Sequence, residues 1–190
     1  MNNKMKNTTR YILIALLVSL GIALRVLPHE WNMAPVAAIA AFAAFLFSTR
    51  TSIFVTAAIL LVSDAVLGGY ERGVMVAVYG SFFAMAFIGR WIRRSASFER
   101  VLAGSLAGST LFFLTTNFAV WAFGAGYAKN AAGLLEAYTL AIPFFRNTIL
   151  GDLGYSLVLF GAYALYRVLK PTLAGGHLKP KRIPIRKDLS

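Results

Sequence analysis

The sequence predicts an all-α integral membrane protein, built as a bundle of six transmembrane helices. Of the 190 residues, 58% are hydrophobic and only 14% are charged, and the mean hydropathy is +0.68. A water-soluble domain carries about a quarter charged residues, so a chain this poor in charge belongs in a lipid bilayer. At roughly 20 apolar residues per crossing, the chain has room for about six spans and no second domain.

Apolar runs between polar or helix-breaking residues give the order of the spans. They fall at about 11–27, 35–48, 52–68, 73–90, 101–122 and 143–169. The first follows a basic segment, 1–10, but no small-x-small cleavage site succeeds it, so it is kept as a helix and not as a signal peptide. The second is short for a full crossing, so we expect it to be tilted, kinked or partly inserted.

Two polar stretches complete the transmembrane domain, which is predicted over 11–169. The connection GAGYAKNAAGLLEAYTLAI, between the fifth and sixth spans, is expected to contain a short interfacial helix. A basic tail, 170–190, follows the last span.

Basic residues indicate how the spans are oriented. Lys and Arg concentrate in cytoplasmic loops, and with both termini in the cytoplasm fifteen of the nineteen basic residues fall on that side. The other four are Arg25, Arg72, Lys129 and Arg146. We therefore predict an N-in, C-in topology. The net charge of +12 then reflects topology and contact with anionic membrane lipids, and no nucleic acid partner is needed to explain it.

Polar side chains gather in the outer halves of spans three to six and in the loop after span three. Charges at membrane depth are costly unless they line protein or water, so we predict an outward-facing binding cavity. Arg146 and Asp152 lie about 240° apart around a helix and do not pair with each other, which leaves Asp64, Glu30, Arg25 or a ligand as partners. The alternative is a buried structural ion pair such as Arg146 with Asp64. The predicted cavity residues are Asp64, Tyr70, Tyr79, Asn117, Arg146, Asn147 and Asp152.

The first outer loop, RVLPHEWNMAPV, concentrates hydrogen-bonding and aromatic side chains between two prolines. Pro28 and Pro35 stiffen it, which suits the wall or lid of a ligand site. His29, Trp31 and Asn32 are therefore added to the predicted site. An equally good interpretation is an interfacial belt, with the tryptophan at headgroup level and the charges solvated.

Small residues recur every four positions in the first span, at Ala15, Ser19 and Ala23. Such a face lets two helices approach closely, within the chain or with a partner protein. A partner interface is one prediction for this face, and packing inside the bundle is the commoner alternative.

Enzyme functions have little support in the sequence. The chain has no cysteine, no HExxH and no glycine-rich phosphate loop, and Ser105 falls toward the cytoplasmic end whereas His29 is on the outer side. The residues before Asp64 and Asp152 differ from those of intramembrane aspartyl proteases. We expect no enzymatic activity and no intrinsic cofactor. A membrane enzyme acting on a lipid or peptide, or a structural protein with a buried ion-pair network, remain the rival hypotheses.

The stretches RVLPHEWNMAPVAAIAAF, LAGSLAGSTLFFLTTNFAVW and IPFFRNTILGDLGYSLVLFG resemble a family of six-span bacterial membrane proteins. That family is similar to the substrate-binding S components of energy-coupling-factor (ECF) transporters, including solitary S components that carry cobalamin. The resemblance covers about 25–165. It implies uptake of a vitamin, first of all cobalamin or another corrinoid, across the bacterial cytoplasmic (inner) membrane.

The resemblance also implies where the ligand and partner bind. The ligand would meet the loops after spans one, three and five, and the small-residue face of span one would meet an ECF-type transmembrane coupling subunit with its ATPases. Some cobalamin carriers offer cobalt a cysteine near mid-chain, where this sequence has Tyr79, Gly80 and Ser81. His29 is then the candidate cobalt ligand on the outer side, although hydrogen bonding to the corrinoid amides is the more favoured role for it.

Overall fold

The computed structural model describes residues 7–28, 30 and 32–173 of the chain. That part of the chain contains six α-helices and no strand, which confirms the predicted all-α class. The helices are α1 (Asn7–Val26), α2 (Val36–Leu46), α3 (Thr49–Leu67), α4 (Arg72–Ile92), α5 (Phe98–Phe123) and α6 (Ala131–Leu173). The predicted terminal segments 1–10 and 170–190 lie mostly outside the described residues, as does His177.

The short helix α2 is the core of the bundle. Ten of its 11 residues are buried, and its sequence, VAAIAAFAAFL, is apolar on every face, which is typical of a helix enclosed by others. The five longer helices surround it in the order α1, α3, α4, α5, α6, and α2 packs against each of them. Phe42 and Phe45 extend this core to Phe160 of α6, with ring centroids 5.1 Å from Phe160 in both cases.

The closest approach in the core brings the backbone of α4 onto that of α2. A Cβ atom built on Gly89 would lie 2.0 Å from the carbonyl oxygen of Ala41, so only glycine fits at this crossing. The alanines of α2 serve the same purpose from the other side, because small side chains let helix backbones approach. The α2 sequence thus specifies a tightly enclosed helix.

Five helices, α1 and α3 to α6, are long and apolar enough to cross a membrane. The remaining helix, α2, has 11 residues and is about 16 Å long, roughly half the thickness of a 30 Å hydrocarbon core. The expectation of a short second segment is therefore confirmed, and the bundle has five long helices around this short one.

The long connection predicted before the last span is wrong. α6 is one continuous helix of 43 residues, about 65 Å long, that runs through Pro143, and only 124–130 form the loop before it. Asn130 starts the helix, since its Oδ1 accepts a hydrogen bond from the Gly133 amide at 2.9 Å. A proline inside a helix removes one backbone donor, a loss that helices in membrane proteins tolerate.

Contacts between helix ends define two ends of the bundle. At one end, Arg93 donates to the Phe47 carbonyl at 2.8 Å and Arg10 donates to Thr51 at 3.0 Å; we call this the Arg93 end. At the other, α1 and α3 finish side by side around Asp64; we call this the Asp64 end. α1 begins and α6 finishes at the Arg93 end, so the described basic residues of the predicted cytoplasmic side share one end. Which end faces the cytoplasm stays a prediction.

Candidate functional site

A buried ion pair joins three helices at the Asp64 end. Arg25 Nη1 lies 2.6 Å from Asp64 Oδ1, and the two side chains are only 15% and 7% exposed. Tyr79 of α4 donates to the other carboxylate oxygen, Asp64 Oδ2, at 2.8 Å. Arg25 also hydrogen-bonds the Ser63 hydroxyl. We call Arg25, Ser63, Asp64 and Tyr79 the Asp64 cluster.

The helix ends explain why the Asp64 cluster forms. Asp64 sits in the last turn of α3, where the helix dipole disfavours a carboxylate, so the charge needs outside donors. Arg25 sits in the last turn of α1, where the dipole favours a cation. Gly21, whose added Cβ would lie 2.5 Å from Ile59, lets α1 lie close enough to α3 for the arginine to reach.

Tyr70, in the loop between α3 and α4, lies beside the Asp64 cluster. Burial raises the pKa of the Tyr70 phenol, the charge of Asp64 raises it further, and Arg25 acts in the opposite direction. The side chain is still 37% exposed, so the phenol has access to solvent. Tyr70 therefore places a phenol beside the buried ion pair and at the surface.

A second polar cluster joins α5 and α6 deeper in the bundle. Asp152 is 5% exposed and accepts a hydrogen bond from Ser109 at 2.7 Å. One helical turn away, Ser105 donates to Ser156 at 2.9 Å. A cavity of about 10 Å³, the size of a single water molecule, is lined by Asp152, Ser105 and Ser156 together with alanines of α2. We call Asp152, Ser105, Ser109 and Ser156 the Asp152 cluster.

The two clusters are separate. Within the described residues the backbone of α6 packs against α5 and α2 and not against α1, α3 or α4. Ser81 follows Tyr79 by half a turn of α4 and contacts Thr115 of α5. Asp152 contacts Ser109, which lies nearly two turns closer to the Arg93 end of α5 than Thr115 does. Asp152 consequently lies deeper than Asp64, in a different helix pair.

Arg146 and Asn147 belong to neither cluster. Arg146 is exposed and Asn147 half-buried, and neither side chain hydrogen-bonds another residue in the described ranges. The alternative pairing of Arg146 with Asp64 is wrong, because Asp64 pairs with Arg25. Asn117 donates to the Phe113 carbonyl of its own helix at 2.7 Å, which leaves its carbonyl oxygen as the group available to a ligand.

The first loop is only partly described. Asn32 is exposed and adopts a left-handed backbone conformation with φ of 61°, which places it in a tight turn before α2. His29 and Trp31 lie outside the described residues, and so does the prediction that His29 ligates cobalt. Among the described residues no group of three His, Asp or Glu side chains is arranged to hold a metal ion.

The small-residue face of α1 is open to the surroundings. Ala15, Ser19 and Ala23 are all exposed, while the opposite face of the helix, with Leu17 and Gly21, is buried. This face is therefore not used for packing inside the described part of the bundle.

Sequence reasoning missed most of the partners in both clusters. Arg25 was considered as a partner but not as part of the site, and the serines at 109 and 156 were not placed in it. A signal was present, since Ser105 and Ser109 are four residues apart and so are Asp152 and Ser156, which puts each pair on one helix face.

Comparison with known proteins gives one match. The model of a family described as a family of unknown function, DUF6580, matches residues 5–173. No curated protein and no solved structure matches the chain.

Proposed function

Because the chain belongs to DUF6580, a family of unknown function, we propose from its own geometry that it is a membrane transport protein. In this proposal it works like an S component. It captures a small organic molecule at the Asp64 end, on the outer side of the bacterial cytoplasmic membrane, and delivers it to the cytoplasm. A corrinoid such as cobalamin is the first candidate ligand, on the resemblance of the loop and α6 motifs.

The observation that carries the proposal is the Asp64 cluster. Burying an ion pair costs both charges their hydration, and here the pair, with Tyr79, holds the ends of α1 and α3 and the outer half of α4 together next to the loop at 68–71. Tyr70 then offers a phenol at the surface of that rigid base. A pre-organised base with a few polar groups at the surface suits the binding of a ligand rich in amide groups.

The exposed face of α1 supports coupling to a second protein. Ala15, Ser19 and Ala23 leave a groove that no described helix fills, and small-residue faces of this kind bind other transmembrane helices. An ECF-type coupling subunit with ATPases would supply the energy for release, since the sequence holds no nucleotide-binding motif.

Ligand binding tests the proposal directly. The protein is purified from cells supplied with cobalamin and its visible absorption recorded, and cyanocobalamin is then titrated onto ligand-free protein by calorimetry. Tyr70→Phe removes one hydrogen bond and should weaken binding about fivefold, the equivalent of about 1 kcal/mol. Tyr166→Phe is the matched control, because Tyr166 is 53% exposed near the opposite end of α6.

Two results would count against the proposal. The absence of both a bound chromophore and any binding heat would remove corrinoids as ligands. Equal affinities in the two tyrosine variants and the parent protein would move the site away from the Asp64 end, and favour a structural role for the cluster.

A further inference from the structure

A cavity at the Arg93 end is lined by arginines that the transport proposal does not use. It has a volume of about 390 Å³ and lies between the end of α2, the start of α3 and the end of α4. Its lining residues are Ala44, Ser48, Thr49, Arg90, Arg93 and Arg94. A space of this size accommodates a small polar group such as a phosphate with its immediate substituents.

The charges around the cavity are all of one sign. Arg90 lies in the last turn of α4, and Arg93 and Arg94 follow directly after the end of the helix. All three line one cavity, where their like charges repel. No Asp or Glu lines the cavity, and the side chains of Arg90 and Arg94 have no hydrogen-bond or ion-pair partner elsewhere in the described ranges. Among the residues that the structure describes, this cluster of positive charge therefore has no acidic side chain to neutralise it.

Backbone groups reinforce the preference for an anion. Thr49, the first residue of α3, lines the cavity at the positive dipole end of the helix. Ser48 caps the Thr51 N–H, which leaves the N–H groups of Thr49 and Arg50 without a partner inside the helix. Arg93 is held in place because one of its nitrogens donates to the Phe47 carbonyl at 2.8 Å. Its remaining N–H groups stay available to an anion, in the forked geometry that suits phosphate oxygens.

We propose that this cavity binds a phosphate group, with Arg90 and Arg94 as the principal ligands and Arg93 and the α3 N-terminus as the fixed part of the site. Two kinds of molecule supply such a phosphate group: the headgroup of an anionic phospholipid and a free phosphate compound. Trp91 lies at the same end, and tryptophan is typical of the headgroup level of a membrane protein, so the phospholipid headgroup is the expected source.

The test measures thermal unfolding of the purified protein in neutral detergent micelles. Phosphatidylglycerol, zwitterionic phosphatidylcholine and inorganic phosphate are each added in a concentration series. The double variant Arg90→Gln/Arg94→Gln should bind phosphatidylglycerol about 25-fold more weakly than the parent, since each basic residue near an anionic surface contributes a factor of about five. Both side chains are exposed, so the variant keeps its packing. Arg72→Gln, at the other end of α4, is the matched control.

The outcomes separate the sources. Stabilisation by phosphatidylglycerol but not by phosphatidylcholine, lost in the double variant and kept in Arg72→Gln, supports the site with a lipid occupant. Stabilisation by inorganic phosphate with the same variant pattern supports it with a free phosphate occupant. Equal stabilisation of all three proteins, or none of the parent, overturns the proposal.

Discussion

Arg25 and Asp64 form a salt bridge of 2.6 Å between the last turns of two parallel helices, α1 and α3. Residues 39 positions apart are thereby held at one end of the bundle, in surroundings that exclude most solvent. Such a pair contributes less to stability than its short distance suggests, because both charges lose their hydration, but losing one partner is costly. The pair therefore acts chiefly as a positioning device for the Asp64 end.

Removing the carboxylate charge should destabilise the protein. Asp64→Ala leaves the Arg25 guanidinium buried without a counter-charge and Tyr79 without its acceptor, and we expect a loss of about 3 to 5 kcal/mol in the free energy of unfolding. Thermal unfolding in detergent measures it. Glu136→Ala, an exposed acidic residue of α6, is the control and should change stability little. Replacing both partners, Arg25→Met with Asp64→Leu, should recover most of the loss, and an equally unstable double variant would contradict this account.

The α2 and α4 crossing predicts opposite effects for two glycines of one helix. Gly89→Ala places a methyl group 2.0 Å from a backbone oxygen of α2, which cannot move aside as a side chain can. We expect a loss of about 1 to 3 kcal/mol or more. Gly80→Ala meets nothing within 4 Å and should stabilise α4 by up to about 1 kcal/mol through higher helix propensity. Similar unfolding temperatures for the two variants would argue against the close α2 and α4 contact.

The Asp152 cluster should be needed for folding, in contrast to Asn147. Asp152→Ala removes the acceptor of the buried Ser109 hydroxyl and opens a space beside α2, so both the amount of folded protein and uptake should fall. Asn147→Ala breaks no hydrogen bond within the described chain and should reduce uptake alone. Folded yield by size-exclusion chromatography and uptake of labelled cobalamin by whole cells distinguish the two. Normal folding and uptake in both variants would remove α6 from the ligand path.

Single cysteines test the topology, since the chain has no native cysteine. Ser95 and Ala125 are exposed in the loops at opposite ends of α5, and neither side chain caps a helix. A membrane-impermeant maleimide added to intact cells should label Ala125→Cys and spare Ser95→Cys until the membrane is opened. Labelling of both, or the reverse order, would contradict the predicted N-in, C-in orientation.

Composition and periodicity were sufficient for the helical membrane class, the short second segment and a common end for the basic residues. These features depend on the free energy of transferring each side chain between water and lipid. That free energy is a property of the residue type and does not depend on how the chain folds. The small-residue face of α1 was also visible in the sequence, because a spacing of four places residues on one side of a helix.

Tertiary structure alone decided which polar residues meet. The sequence offered Arg146 as a partner for Asp64, and the actual pairing with Arg25 follows from the parallel packing of α1 on α3, while the α6 backbone does not pack against α3 within the described residues. Asp152 was separated from Asp64 for the same reason, and the continuity of α6 through Pro143 depended on Asn130 beginning the helix early. Hydrogen bonds and ion pairs act over about 3 Å, a distance that helix packing sets and residue order does not.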